Sequence, residues 1–192
     1  MRLTAERIAR MIDLSAVKAQ DTEQDVRRMA ETALAFGCVA AFVLPSMTPL
    51  LVELLGKGSS TAAGGVVSFP SGSDSTRLKV AQARELVEMG CTEIDMVVNI
   101  GKLLSLRDDI RAVVEAVKPL PVKVILECHY LSDEQILAGC DLAVEGGAAF
   151  VKTGTGWAET GATLLEMAHR GVSRFGLGWR TATEILNRVR SF

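Results

Sequence analysis

The sequence predicts an α/β protein of the (β/α) TIM-type barrel class, incomplete towards its C-terminal end. Three observations carry this expectation. Short, continuously apolar runs alternate with amphipathic segments along most of the 192 residues, as in a parallel sheet whose outer face is covered by helices. Asp13, Asp95, Lys123 and Lys152 fall inside or at the ends of four different runs. In a barrel such positions converge on one interior or one mouth, where barrel enzymes carry their chemistry; in a doubly wound open sheet they would be strewn along an edge. Finally, no glycine-rich fingerprint follows the first strand, which counts against a dinucleotide-binding open sheet.

In chain order, residues 4–12 open as a short helix, with Thr4 as its N-cap and Ile8, Met11 and Ile12 on one face. Residues 12–15 form a very short strand holding Asp13. A helix starts at Asp21, with acids in its first turn where the dipole favours them, and stops at Gly37. A strand over 38–44 ends at Pro45, and a helix covers 49–57. A strand over 64–69 ends at Pro70, and a helix over 75–89 closes on Gly90. The strand over 92–99 holds Asp95. The helix over 106–117 leads to a strand over 121–127, and a helix capped by Ser132 runs to Val144. Gly146 and Gly147 then precede a strand that ends on Lys152. The helix-ending glycines Gly37, Gly90 and Gly147 are each two strand-helix units apart, with units shorter than about 30 residues, which fits tandem βα construction. Beyond Gly156 the pattern weakens: a short helix over 164–169, a seventh strand over 172–177 and a last helix over 181–189. A full barrel has eight strands. A missing strand would expose sheet edges and apolar surface, so a homo-oligomer that covers the gap is expected.

Composition bounds the rest. Length and a 48% hydrophobic content with only 5% aromatics predict one domain over residues 1–192 with an aliphatic core. The net charge of −2 and the lack of a basic run exclude a nucleic-acid partner. Cys38, Cys91, Cys128 and Cys140 have no metal-type spacing and sit in or beside apolar segments, as reduced thiols in a cytosol do. Residues 1–11 lack the apolar core of a signal peptide or membrane span. The expectation is therefore a cytoplasmic protein with no membrane partner, no metal and no cofactor.

The chemistry centres on Lys152. A lysine at the end of a buried strand is paired with a carboxylate, or is desolvated into a usable nucleophile, or lies on the solvent side of an edge strand without a role. A covalent lysine must be neutral to attack a carbonyl, and a neighbouring cation favours that state. Lys123, on the preceding strand, is the nearest such cation, and Asp95, one strand further back, supplies a carboxylate to move protons. The plainer alternative is a structural ion pair between Lys123 and Asp95. His129 and His169 have no evident partners, and Cys128 beside His129 lacks a third group to orient it. Met29, Met89 and Met167 sit at helical core spacing.

Several stretches together resemble one family. Residues 93–101 (EIDMVVNIG), 122–127 (VKVILE) and 150–156 (FVKTGTG), with Gly161, Ala162 and Thr163, are similar to the signature series of the deoxyribose-phosphate aldolases. So are residues 69–72 (FPSG) with Thr76, Lys79 and Val80, and residues 11–13 (MID) near the start. The similarity runs in order over about residues 3–163. It implies a (β/α) barrel and a class I aldolase that joins or separates acetaldehyde and glyceraldehyde 3-phosphate, so a small aldehyde or sugar phosphate is the expected partner. It also implies Lys152 as the Schiff-base lysine, Asp95 as proton relay, Lys123 as a supporting cation and Asp13 as a supporting carboxylate. The chain departs from the pattern in places. With Arg180 and Thr181 as anchor, the family's second catalytic lysine falls on Arg174, which keeps a charge but does not shuttle a proton, and its glycine pair becomes Leu177 and Gly178. The final Gly-Ser-Ser phosphate loop has no counterpart. Leu14 and Leu44 stand where the family has His and Asn. Substrate and anion binding is left to Thr153, Gly154, Thr155, Gly156, Gly178 and Arg180, and two alternatives stay open: a Schiff-base enzyme acting on a non-phosphorylated aldehyde, and a non-catalytic barrel retained for binding or assembly.

Overall fold

The computed structural model describes residues 5–158 and 172–190. Its strands are β1 (Ile12–Ala16), β2 (Ala40–Val43), β3 (Ala62–Val67), β4 (Glu93–Val97), β5 (Val122–Ile125), β6 (Phe150–Lys152) and β7 (Phe175–Gly178). The helices are α1 (Ala5–Ala9), α2 (Glu23–Phe36), α3 (Thr48–Leu55), α4 (Thr76–Glu88), α5 (Leu106–Val117), α6 (Asp133–Gly146) and α7 (Trp179–Arg190). The expected N-cap at Thr4 and the expected helix over 164–169 lie outside the described residues. Contacts divide the chain into two compact units, Met1–Ala63 with Gly161–Phe192, and Gly64–Thr160. The boundary falls inside β3.

In the first unit β1 pairs in parallel with β2 on one side and β7 on the other, Asp13 standing opposite both Ala40 and Gly176. In the second, β3, β4, β5 and β6 pair in parallel in chain order. Strands that follow chain order, each joined by a helix, wind in one direction without the reversal of a doubly wound sheet, and this is (β/α) barrel construction. Pairing of β7 directly with β1 gives the last described strand the neighbour a closing strand has.

The cores follow from strand alternation. In the second unit Ile94, Met96, Val122, Val124 and Leu126 pack with Leu86 of α4, Ile110 and Val113 of α5 and Ala143 of α6. In the first, Ile12 and Leu14 of β1 and Ala41 and Val43 of β2 pack against Val26, Met29 and Ala33 of α2 and Ala182 and Leu186 of α7. The helix ends match the sequence signals. Thr22 and Ser132 each form a capping box, and Gly37 and Gly147 end α2 and α6 in left-handed conformation.

Four strands are shorter than the runs that announced them. β2 spans four residues of the expected 38–44, and β4 five of the expected 92–99. β5 stops at Ile125 because Glu127 turns left-handed (φ 53°) to open a single 3-10 turn at Cys128–Tyr130. The last strand starts three residues later than the expected 172 and leads directly into α7 at Trp179.

Candidate active site

The site in the second unit grows out of the same alternation. In a strand buried on both sides, residues of one parity face the helices and those of the other face the opposite side of the sheet. On β4 and β5 the helix-facing set is wholly apolar, while Glu93, Asp95 and Lys123 lie on the other face. Asp95 is directly opposite Lys123 in the β4–β5 ladder, and Lys152 is opposite Ile125 in the β5–β6 ladder, two residues further along the same face. The register alone therefore brings the four charged side chains together.

Lys123 Nζ donates to Glu93 Oε1 at 2.7 Å and to Asp95 Oδ1 at 2.9 Å. Lys152 Nζ donates to the other Asp95 oxygen, Oδ2, at 3.0 Å. The result is a chain Glu93–Lys123–Asp95–Lys152 of two acids and two bases, balanced in formal charge, as buried ions require. Asp95 is fully buried, Lys123 and Glu93 are nearly so, and the Lys152 side chain keeps 19% of its surface exposed. Lys152 is thus the most exposed member of the network. The Phe150 ring, opposite Lys123 in the ladder, lies 6.0 Å from Lys123 Nζ and covers that cation from the side.

The stretch after Lys152 is held to the end of β5. Cys128 N–H donates to the Thr153 carbonyl at 2.7 Å. Glu127, buried, accepts at Oε2 from Thr155 N–H at 3.1 Å and also from Thr155 Oγ1. Trp157 N–H donates in turn to Thr155 Oγ1 at 3.1 Å. Thr155 is buried by these contacts, whereas Thr153 and Gly156 are exposed.

The remaining candidates lie in the first unit. Buried Asp13 accepts at Oδ1 from Arg174 Nε at 3.0 Å and from Arg174 Nη2. Gly178 ends β7 and is exposed. Arg180, in the first turn of α7, donates to Asp21 at 3.1 Å and Asp25 at 2.7 Å and lies over the Trp179 ring. Backbone and side-chain hydrogen bonds from Thr22 hold the Asp25 carboxyl below its ordinary range. Two site residues escaped the sequence reading of roles. Glu93 is two positions before Asp95, so strand alternation puts it on the same face, whereas Glu127 lies beyond the end of β5 in left-handed conformation, where that period of two no longer applies.

A parallel strand-helix fold with a lysine at a strand's C-terminal end, hydrogen bonded to a buried carboxylate, has the arrangement of a (β/α)-barrel enzyme, which carries its chemistry at that end of the strands. Comparison with known proteins agrees. The family model described as DeoC/LacD family aldolase matches residues 7–182. A deoxyribose-phosphate aldolase of Sinorhizobium medicae is 42% identical over 94% of this chain and 86% of its own length. One from Klebsiella pneumoniae is 51% identical over 85% of this chain and 69% of its own. Among solved structures, one from Coccidioides immitis, provisionally identified as a deoxyribose-phosphate aldolase, superposes with a TM-score of 0.91 at 26% identity, covering 99% of this chain and 88% of that one. The tetrameric deoxyribose phosphate aldolase of Aeropyrum pernix shares the fold, with a TM-score of 0.75 at 24% identity over 91% of this chain and 78% of that one. The chain belongs to the DeoC/LacD aldolase family.

Proposed function

We propose that this chain catalyses the reversible cleavage of 2-deoxy-D-ribose 5-phosphate to acetaldehyde and D-glyceraldehyde 3-phosphate through a Schiff base on Lys152. The observation that carries the reading is the hydrogen bond from partly exposed Lys152 to Asp95, whose second oxygen is occupied by Lys123. Lys152, after passing a proton to Asp95, attacks the aldehyde carbon of the open-chain sugar, and loss of water from the carbinolamine leaves a cationic imine. Removal of the proton from the hydroxyl on the third carbon lets the bond between the second and third carbons break. Its electron pair flows into the imine to give an enamine, and the three-carbon aldehyde departs. Protonation of the enamine and hydrolysis release acetaldehyde and the free amine. In this reading Asp95 shuttles these protons and Lys123, bonded to its other oxygen, fixes its orientation, which their hydrogen bonds support.

The roles that the family resemblance gives to Asp13, Arg174, Thr153, Thr155, Gly156, Gly178 and Arg180 are part of this proposal. So are action as a single catalytic domain in the cytoplasm and assembly into a homo-oligomer, for which a monodisperse monomer by light scattering is the contrary result. A second reading, in which the substrate is a non-phosphorylated aldehyde, draws on one observation: the Arg180 guanidinium is already paired with Asp21 and Asp25. A retro-aldol assay with deoxyribose 5-phosphate and with deoxyribose separates the two. A strong preference for the ester supports the first reading and rules out the second; no cleavage of either overturns the first.

A further inference from the structure

Glu93 is the member of the charged chain that takes no part in the proton transfers of the proposed reaction. It stands at the first position of β4, opposite Gly64, and is buried. Asp95 lies two positions further along the same face, and Lys152, level with Ile125 and Val97, two positions beyond that. Glu93 is thus one layer below Asp95 and two layers below Lys152, on the side away from the C-terminal ends of the strands. Its Oε1 accepts from Lys123 Nζ at 2.7 Å, and the same ammonium donates to Asp95 Oδ1 at 2.9 Å. A buried carboxylate is costly to keep. Lys123 already has an anion in Asp95, so a second one beside it calls for an explanation.

The explanation lies in where charge goes when Lys152 becomes a nucleophile. At rest the two acids and two bases balance. When Lys152 Nζ passes a proton to Asp95 Oδ2, across 3.0 Å, both of those groups become neutral. Lys123 and Glu93 stay charged, and they form a pair of their own. The moving proton also carries positive charge inward, from the layer of Lys152 to the layer of Asp95. Lys123, bonded to Asp95, opposes that movement, and Glu93, on the inner side, favours it. With an ionised Glu93 the two effects offset one another. With a neutral residue in its place, Lys123 holds Asp95 in its charged form and the proton stays on Lys152. Later, Asp95 returns the proton to the carbinolamine hydroxyl, which leaves as water. The carboxylate is then regenerated beside the cationic imine, and Glu93 has kept its charge throughout.

We propose that Glu93 is a positioning residue that acts as the counter-ion of Lys123 while Asp95 is protonated, and so lets Asp95 take the proton of Lys152. The charged groups hydrogen bonded into this cluster come from β4 (Glu93 and Asp95), β5 (Lys123) and β6 (Lys152), and the helix-facing residues of β4 and β5 are apolar. The inference rests on Lys152 as the Schiff-base lysine, and its test keeps the two apart.

Imine formation is timed by mixing the protein with acetaldehyde, quenching with borohydride at set intervals and measuring the adduct on the Lys152 peptide. The wild type is compared with Glu93→Gln and with the double variant Glu93→Gln, Lys123→Met, and the urea midpoint of each is recorded. Glutamine keeps the shape and an acceptor for Lys123 but not the charge. At neutral pH, Glu93→Gln forms the imine roughly 10–100-fold more slowly than the wild type, part of what a positioned proton-transfer group supplies. The gap narrows as the pH is raised to about 9, where solvent removes the proton from partly exposed Lys152 without Asp95. Removing the Lys123 charge as well recovers at least about tenfold of the loss, whereas a residue that merely filled space would make the double variant slower still. Equal rates in the wild type and Glu93→Gln, a gap that does not change with pH, or a double variant no faster than the single one overturns the counter-ion role and leaves the Schiff base standing. Should Glu93→Gln not fold, the double variant decides: imine formation within about tenfold of the wild type supports the role, and slower formation overturns it. No adduct on Lys152 in the wild type at any pH removes the Schiff-base reading itself, and the role of Glu93 falls with it.

Discussion

Asp95 divides its two oxygens between two lysines, and this makes it the most demanding position in the molecule. Replacing it with alanine removes a carboxylate bonded to Lys123 at 2.9 Å and to Lys152 at 3.0 Å. Breaking a buried ion pair from one side costs about 3–5 kcal/mol, and loss of a positioned proton shuttle costs roughly 10²–10⁴-fold in rate. Asp95→Ala is therefore expected to lower the urea midpoint markedly and to reduce turnover by at least two orders of magnitude. Asp95→Asn, which keeps the shape and one acceptor oxygen, should recover most of the stability and little of the turnover; equal recovery of both would make Asp95 a structural partner only. Lys152, Lys123 and Asp95 were legible together because each of three strands in tandem carried a charged residue within an apolar run. The same reading gave Glu93 and Glu127 no role. Glu93 stands at the first position of its strand, where a charge reads as flanking sequence, and Glu127 stands where the strand has already ended in a left-handed turn. Burial of both is set by neighbouring strands, which a single run of sequence does not display.

At the scale of elements, helix boundaries were the most legible feature. Gly37 and Gly147 end α2 and α6 as left-handed caps, Ser132 begins α6 with a capping box, and α5 spans the expected residues. Strand ends were less so, because a parallel strand's hydrogen bonding stops where the backbone turns and not where the apolar run ends. What no run of sequence revealed is how α4 and α5 are joined. Lys79, fully buried, donates to Asp109 Oδ2 at 2.6 Å, and Asp109 Oδ1 is buried without a partner among the described residues. Lys79 was legible only as a residue of a familiar pattern, since its helical position otherwise reads as surface. Asp109→Ala leaves that ammonium buried and unpaired and is predicted to lose about 3–5 kcal/mol in chemical denaturation. The double variant Lys79→Met with Asp109→Leu is predicted to recover most of it, because an apolar pair of similar volume removes the buried charge altogether. Failure of the single variant to destabilise would show the pair to be solvated in solution.

For the whole molecule, the thiols set an alkaline limit. Burial pushes Cys38 and Cys91 up to about 12, from an ordinary value of 9.0, and for Cys38 the Asp13 charge adds to the effect. The folded protein then holds these protons more tightly than the unfolded chain does. The stability this represents is fully present below pH 9 and is lost as pH rises towards 12, at no more than about 1.4 kcal/mol per pH unit for each thiol. Denaturation midpoints should be insensitive to these thiols at neutral pH and fall between pH 9 and 11, with a shallower fall in Cys91→Ala. A slope unchanged by that substitution would contradict the assignment. The barrel class was legible because continuous apolar strands imply covered parallel sheets, and the polar residues within them marked one end. The neighbour of the last strand was not legible: pairing of β7 with β1 joins residues more than 160 positions apart, such as Ser15 Oγ and the Leu177 carbonyl, and no local signal encodes that. Borohydride reduction in the presence of acetaldehyde reports whether Lys152 forms the covalent intermediate. A stable two-carbon adduct is expected on the peptide containing Lys152, absent from Lys152→Ala. An adduct on another lysine that persists in Lys152→Ala, or no adduct at all, would contradict it.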